Sequence, residues 1–233
     1  MKRIAIIQSS YIPWKGYFDI IHDVEEFIFL DDVQFTTRDW RTRNRIKTVH
    51  GSMWLSVPAG ANRNRKICEV VLNDHAWQAK HWESIRHAYA AAPFFDRYRS
   101  FFEDIYLHAS WRSLSEMNQE IVTRIARDIL GIKTHMTDSR RYSAGGRRTE
   151  KLADLVIAAG GNHYLSGPTA RDYIEPEVFA RHGIALEYKD YRGYPEYPQL
   201  HPPFEHAVSV LDLLFHTGPD APAHIWGHRR SKT

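Results

Sequence analysis

Apolar residues recur in short blocks whose spacing switches between strand and helix periods. Arg3 to Gln8 form a short, nearly continuous apolar run, the pattern of a strand buried on both faces. A polar and aromatic stretch with Pro13 and Gly16 comes next, and Tyr17, Phe18, Ile20 and Ile21 then fall at helical spacing. Glu26 to Leu30 is a second buried run, and it ends on Asp31 and Asp32. Strand, loop, helix and strand within about thirty residues make a βαβ signature.

Met53–Val57 and Ile67–Leu72 read as two further strands, and the basic, turn-rich Gly60–Lys66 between them suits a hairpin. From about 74 to 130 the pattern is helical. Trp77, His81, Ile85, Ala88 and Tyr89 share one face, as do Leu114, Met117, Ile121, Ile125 and Ile129. Ser113 with Glu116 predicts a capping box, and Gly131 a stop. Ser139–Arg148, rich in serine, glycine and arginine, is expected to be a mobile loop. A second βαβ-like unit comes after it: a helical face from Leu152 to Ala159, a strand at His163–Ser166, a helix reset at Pro176, and a strand at Ile184–Tyr188. A short helix over Ala207–Phe215 precedes a basic tail, 216–233. These elements predict a single α/β domain over 1–233, with a Rossmann-like, mainly parallel sheet, a β-hairpin and a helical insertion.

Composition narrows the setting. The 233 residues are 43 % hydrophobic, enough for a well-buried core, and carry a formal charge of only +3. A surplus that small does not by itself mark a nucleic-acid binder. One cysteine, Cys68, excludes an intrachain disulfide and a thiolate cluster, and its apolar neighbours read it as a core strand residue. His75, His81 and His87 recur every six residues, which rotates them around a helix and does not predict zinc. No stretch approaches the roughly 18 apolar residues of a membrane span, and the start lacks a secretory apolar core. The expectation is a cytoplasmic protein.

Four segments carry candidate chemistry. QSSYIPWKGYFD, from Gln8 to Asp19, joins a strand end to a helix start, where open α/β sheets place ligands and where Lys15 beside Gly16 could meet a phosphate. In the run Leu30–Lys47, Asp31 and Asp32 suit a general base or a Mg²⁺ held through phosphate. Downstream lie Arg38, Arg41, Arg43, Arg45 and Lys47. If extended, the last four share one face able to hold a diphosphate; a solvated edge that discourages aggregation is the bland alternative. HYLSGPTARDY, His163 to Tyr173, opens a helix at Gly167 and Pro168 that Ser166 or Thr169 could cap, with Arg171 and Asp172 one turn in. Tyr188–Phe204, with Tyr191, Tyr194 and Tyr197 among prolines, offers flat rings to a sugar or base, or a packed surface strap.

QSSYIPWKGYFDII, FLDDVQFTTRDWRTRNRIK, HYLSGPTARDYI and the late YPQL with VLDLLF together resemble the WbqC-like family over about residues 4 to 215. The positions matching its motifs are Gln8, Tyr11, Pro13, Trp14 and Gly16; Asp31, Asp32, Gln34, Arg43, Asn44 and Lys47; and Ser166, Gly167, Pro168 and Asp172. Lys15 departs from the apolar or small residue more usual there, which weakens a catalytic role for it. The resemblance implies a place in surface-polysaccharide or O-antigen biosynthesis, and transfer of an aminoacyl group such as glycyl to a nucleotide-linked or lipid-linked sugar. Asp31 or Asp32 would then be base or metal ligand. Arg43, Asn44 and Lys47 would hold an activated aminoacyl donor or nucleotide, an aminoacyl-tRNA among the candidates, and Tyr11, Trp14 and the tyrosine tract would hold the sugar. Nucleotidyl transfer, and a non-catalytic nucleic-acid or anion-binding module, stay open as alternatives.

Overall fold

The structure is a computed structural model and describes residues 1–229. In chain order the elements are β1 (Arg3–Ile7), α1 (Lys15–His22), β2 (Glu26–Phe29), β3 (Arg43–Thr48), β4 (Gly51–Ser56), α2 (Ala76–Tyr89), α3 (Phe95–Glu103) and α4 (Leu114–Arg124). β5 (His135–Asp138), α5 (Thr149–Ala158), β6 (His163–Ser166), α6 (Pro176–Arg181), β7 (Ala185–Tyr188) and α7 (Val210–Thr217) complete them. They form two compact units. The first is Met1–Gln8, Asp19–Asp32 and Ile132–Arg192; the second is Ser9–Phe18, Val33–Gly131 and Gly193 onward.

The first unit is a five-stranded parallel sheet in the order β5-β2-β1-β6-β7. From β1 at the centre the chain winds outward through β2 to β5, then returns to the other side of β1 for β6 and β7. The direction of winding therefore reverses between β1 and β6, as in Rossmann-like sheets. Ile4, Ile6 and Ile28 of the strands pack with Leu155 and Val156 of α5 and Phe179 of α6. Tyr164 stacks on Phe179 with ring centroids 5.0 Å apart. Gly161, between α5 and β6, has a packing role: a Cβ there would fall 2.4 Å from Cγ1 of Ile4.

β5 has no apolar run to announce it. It lies at the sheet edge, where one side needs no partner, and its sequence His-Met-Thr-Asp exposes its first residue and buries Thr137 and Asp138. The 139–148 loop after it is tied down in its first half. Asp138 accepts from the Arg140 amide, and the Tyr142 hydroxyl donates to the buried carboxylate of Glu26.

The second unit holds the hairpin and most of the helices. The hairpin is β3–β4, turning through Val49 and His50 into Gly51 at φ +99°, and not the pair expected at 53–57 and 67–72. Too few apolar residues in 43–48 let its charge pattern mask a strand. Ile67–Glu69 forms a 3₁₀ turn because Glu69 reaches back to the Lys66 amide at 2.7 Å; Cys68 sits on that turn, part exposed, and not in a core strand. α4 starts where its cap was expected, Ser113 accepting from the Glu116 amide at 3.3 Å. Tyr89, Phe95 and Phe102 surround Phe215 of α7, with centroids 5.2 to 5.3 Å away. The segment after α7 lies in the expected tail, 216–233, and is described to residue 229. It forms a 3₁₀ turn over Gly218–His224, with Ala221 and Ile225 wholly buried; 230–233 lie outside the described residues.

Candidate functional site

In the first unit, the strand order brings candidate residues to the carboxyl edge of the sheet. Gln8 comes directly after β1, Asp31 and Asp32 come after β2, and Ser166 ends β6, on either side of the winding reversal. Asp31 is wholly buried. Asp32 accepts from Nζ of Lys151 at 2.5 Å and from the Ser139 hydroxyl at 2.6 Å. Burial alone would raise the Asp32 carboxyl, but these two bonds and the lysine charge hold it below the usual aspartate range. Lys151, on α5, was not among the residues chosen from sequence; a lone lysine on a helix carries no local signal of a partner so distant in the chain. Among the described residues no three His, Cys, Asp or Glu side chains gather to hold a metal ion. The oxygens of Asp32 already face Lys151 and Ser139, so Asp32 does not fit as a ligand of a resident Mg²⁺.

The HYLSGPTARDY segment differs from its expected form. Gly167 occupies the cap position with no side-chain hydrogen bond, so neither Ser166 nor Thr169 caps the turn. Pro168–Asp172 is a five-residue 3₁₀ turn, too short to present a helix dipole to an anion. Ser166 is buried and donates to the Tyr164 hydroxyl at 3.4 Å, while Asp172 is exposed.

The second unit contains Tyr11, Trp14, Gly16, Gln34, Arg43, Asn44 and Lys47. Here the loop 9–14 is fixed at every turn. The Tyr11 amide donates to Trp40 O at 2.9 Å, Asn44 Nδ2 donates to the carbonyls of Tyr11 and Ile12, and the Val210 amide donates to Pro13 O at 2.9 Å. Tyr11 is wholly buried, its hydroxyl bonded to His81 Nδ1 at 2.8 Å and to the Tyr106 hydroxyl at 2.7 Å. It positions the loop and offers no ring face to a sugar. Gly16 is required by Trp14, whose indole lies where a Cβ would fall, 2.3 Å away. That leaves Trp14 edge-on to Tyr194, with centroids 6.0 Å apart.

The loop delivers Lys15 into the aromatic tract. Nζ lies 4.9 and 5.3 Å from the ring centroids of Tyr194 and Tyr197, and donates one long bond, 3.4 Å, to Pro195 O. Burial pushes the amine down to about 8, against the pull of Asp212. Asp212 is itself buried and accepts from Tyr197, Tyr89 and Gln199 at 2.8, 3.1 and 2.7 Å.

The basic row is a strand from Arg43 onward, with Arg41 before it, and its members have separate tasks. Lys47 is buried and donates to Gln199 Oε1 at 2.8 Å and to Pro203 O. Arg45 donates to Ala207 O at 2.8 Å. Asn44, on the opposite face, is the loop clamp. Arg43 keeps its guanidinium clear of hydrogen bonds among the described residues, lying 4.2 Å over the ring of Trp54. Gln34 is exposed and bridges Lys66 through the backbone.

A five-stranded parallel sheet whose winding reverses beside β1, and a separate antiparallel hairpin, define a mixed α/β protein. The sequence pattern of the WbqC-like protein family matches residues 8–224, and the chain belongs to that family. It is 42 % identical over 227 residues to the uncharacterized protein Rv1507c of Mycobacterium tuberculosis (strain ATCC 25618 / H37Rv), covering 97 % of this chain and 98 % of that protein. No solved structure matches the chain. No helix among the described residues is long and apolar enough to cross a membrane.

Proposed function

We propose that the protein is a group-transfer enzyme acting on surface-polysaccharide precursors, with the reacting groups bound at the carboxyl edge of the parallel sheet. One observation carries this: Gln8 directly follows and Ser166 ends adjacent central strands where the winding reverses, and Asp31 and Asp32 follow the next strand. Ligands of open α/β sheets bind at such a point. The favoured reaction is aminoacyl transfer, such as glycyl, from an activated donor to a hydroxyl or amine of a nucleotide-linked or lipid-linked sugar. The acceptor attacks the acyl carbonyl, its proton passes to a carboxylate, and the donor's carrier leaves.

Asp32, kept ionised by Lys151, suits an electrostatic partner for the acceptor's developing positive charge better than a general base, whose proton affinity should lie nearer neutrality. Asp31 is the candidate base. The strand order also favours a second reading, nucleotidyl transfer, because this winding is that of mononucleotide-binding sheets.

The test is to incubate the protein with a glycyl donor, aminoacyl-tRNA or nucleotide-activated, and nucleotide-linked or lipid-linked sugars, and to track acceptor mass. The expected result is glycylated sugar, reduced about a hundredfold or more in Asp31→Asn. Pyrophosphate release from a nucleoside triphosphate without acyl transfer would establish the second reading. Turnover unchanged in both Asp31→Asn and Asp32→Asn would remove the acidic pair from the reaction.

A further inference from the structure

The transfer reading leaves the outer face of the β3–β4 hairpin unused. In the antiparallel register Arg45 stands opposite Trp54, so Arg43, Arg45 and Trp54 share one face. Trp54 is 43 % exposed and Trp40 46 % exposed, with ring centroids 5.7 Å apart. The Arg43 guanidinium lies 4.2 Å over Trp54 and that of Arg45 5.6 Å from it. Arg43 makes no side-chain hydrogen bond or ion pair among the described residues, and its buried Nε has no acceptor. An arginine placed only to cover an indole would shield it, yet both tryptophans stay nearly half open.

The stretch of sequence that contains this hairpin is lopsided in charge. Between Val33 and Lys66 the sequence has eight lysines and arginines against one acid, Asp39, whereas the whole chain carries only +3. Arg38, two residues before Trp40, is exposed and held at φ +58°. A surplus of one sign along this much of the chain fits an extended polyanion better than a single phosphate. Exposed aromatic rings between the cations fit a polyanion that also carries flat groups to stack. Polyphosphate and acidic polysaccharide lack such rings.

We infer that the face formed by Trp40, Trp54, Arg43 and Arg45 binds single-stranded nucleic acid, with bases stacked on the indoles and phosphates on the guanidiniums. Lys47 does not take part, because its ammonium is committed to Gln199 and Pro203. The residues involved belong to the second unit, while Gln8, Asp31, Asp32 and Ser166 belong to the first.

Fluorescence anisotropy of a labelled single strand of about twelve nucleotides, RNA and DNA in parallel, tests this. Tryptophan emission is recorded in the same titration, with polyphosphate and anionic phospholipid vesicles as comparisons. The expected result is saturable binding that quenches tryptophan, falls at least about tenfold in Trp40→Ala and in Trp54→Ala, and weakens with salt. Arg43→Ala should lower the logarithmic salt slope by about 0.7, one phosphate's worth. Both tryptophans are surface residues, and circular dichroism of each variant checks that it folds. No binding at low salt would overturn the inference. So would binding indifferent to both tryptophan substitutions and matched by polyphosphate, which is charge alone, or capture by vesicles but not by oligonucleotide. Failure here leaves the transfer assay untouched, since that assay is scored on Asp31 and Asp32.

Discussion

The side-chain amide of Asn44 donates to the carbonyl oxygen of Ile12 at 3.0 Å, and Ile12 is held at φ +35°, a conformation costly for a β-branched residue. The same amide nitrogen reaches Tyr11 O at 3.2 Å, while Asn44 Oδ1 accepts from the Arg45 amide at 2.8 Å. One buried side chain thus balances the strain in the loop that carries Trp14 and Lys15.

Asn44→Ala should destabilise the protein by about 3 kcal/mol, because it leaves buried carbonyls and an amide unpaired. Asn44→Asp should be no better, since a carboxylate repels the two carbonyls. Urea denaturation measures both. A loss under about 0.5 kcal/mol would show that the loop holds its shape without the clamp.

Gly16→Ala should displace Trp14. The added carbon would meet the indole at 2.3 to 2.6 Å, while a helix start otherwise favours alanine. The expected cost is about 1–3 kcal/mol, with a change in tryptophan emission. Trp14→Ala in the same background should recover most of the loss, a rescue that a general intolerance at position 16 would not give.

His81 gives the stability a dependence on mild acid. Burial pushes its imidazole down to about 4, so the folded protein keeps it neutral where the unfolded chain protonates it. The unfolded state then binds the extra proton between the ordinary histidine value of about 6.5 and 4, and stability falls as pH drops through that window. In His81→Phe this contribution to the slope should vanish, at the cost of the bond to Tyr11. Unfolding free energies from pH 7 to pH 4 for the two proteins decide it; parallel curves would show that His81 is charged when folded.

Lys15→Met should be neutral or stabilising near pH 7. The amine is 3 % exposed and pushed down to about 8, so the folded protein bears a cost for keeping it charged. Because the folded value lies below the ordinary lysine value of about 10.4, wild-type stability should rise relative to Lys15→Met between pH 8 and 10. A variant less stable by more than about 2 kcal/mol would mean that the contacts of the ammonium with Tyr194, Tyr197 and Asp212 outweigh its burial.

Much of the architecture was legible as periodicity. β1, β2 and β7 are runs dominated by apolar residues, β6 lies between Gly161 and Gly167, and Gly131 and the Ser113 cap punctuate the helical stretch as local chemistry dictates. The elements that escaped are those whose strand character rests on pairing and not on composition. β3 was masked by its charges and β5 by its polar edge position. The segment at Ile67 looked like a strand until Glu69 turned it back on Lys66.

The sequence alone determined the α/β class, most of the apolar strand and helix runs, and the resemblance to the WbqC-like family. It could do so because hydrophobic period and local motifs are written in neighbouring positions. Only the tertiary structure decided what each charged or polar group faces, because those partners lie far along the chain. Asp32 meets Lys151, Asn44 the loop carbonyls, and Lys47 the proline tract, while Arg43 is left over Trp54 with its donors unused.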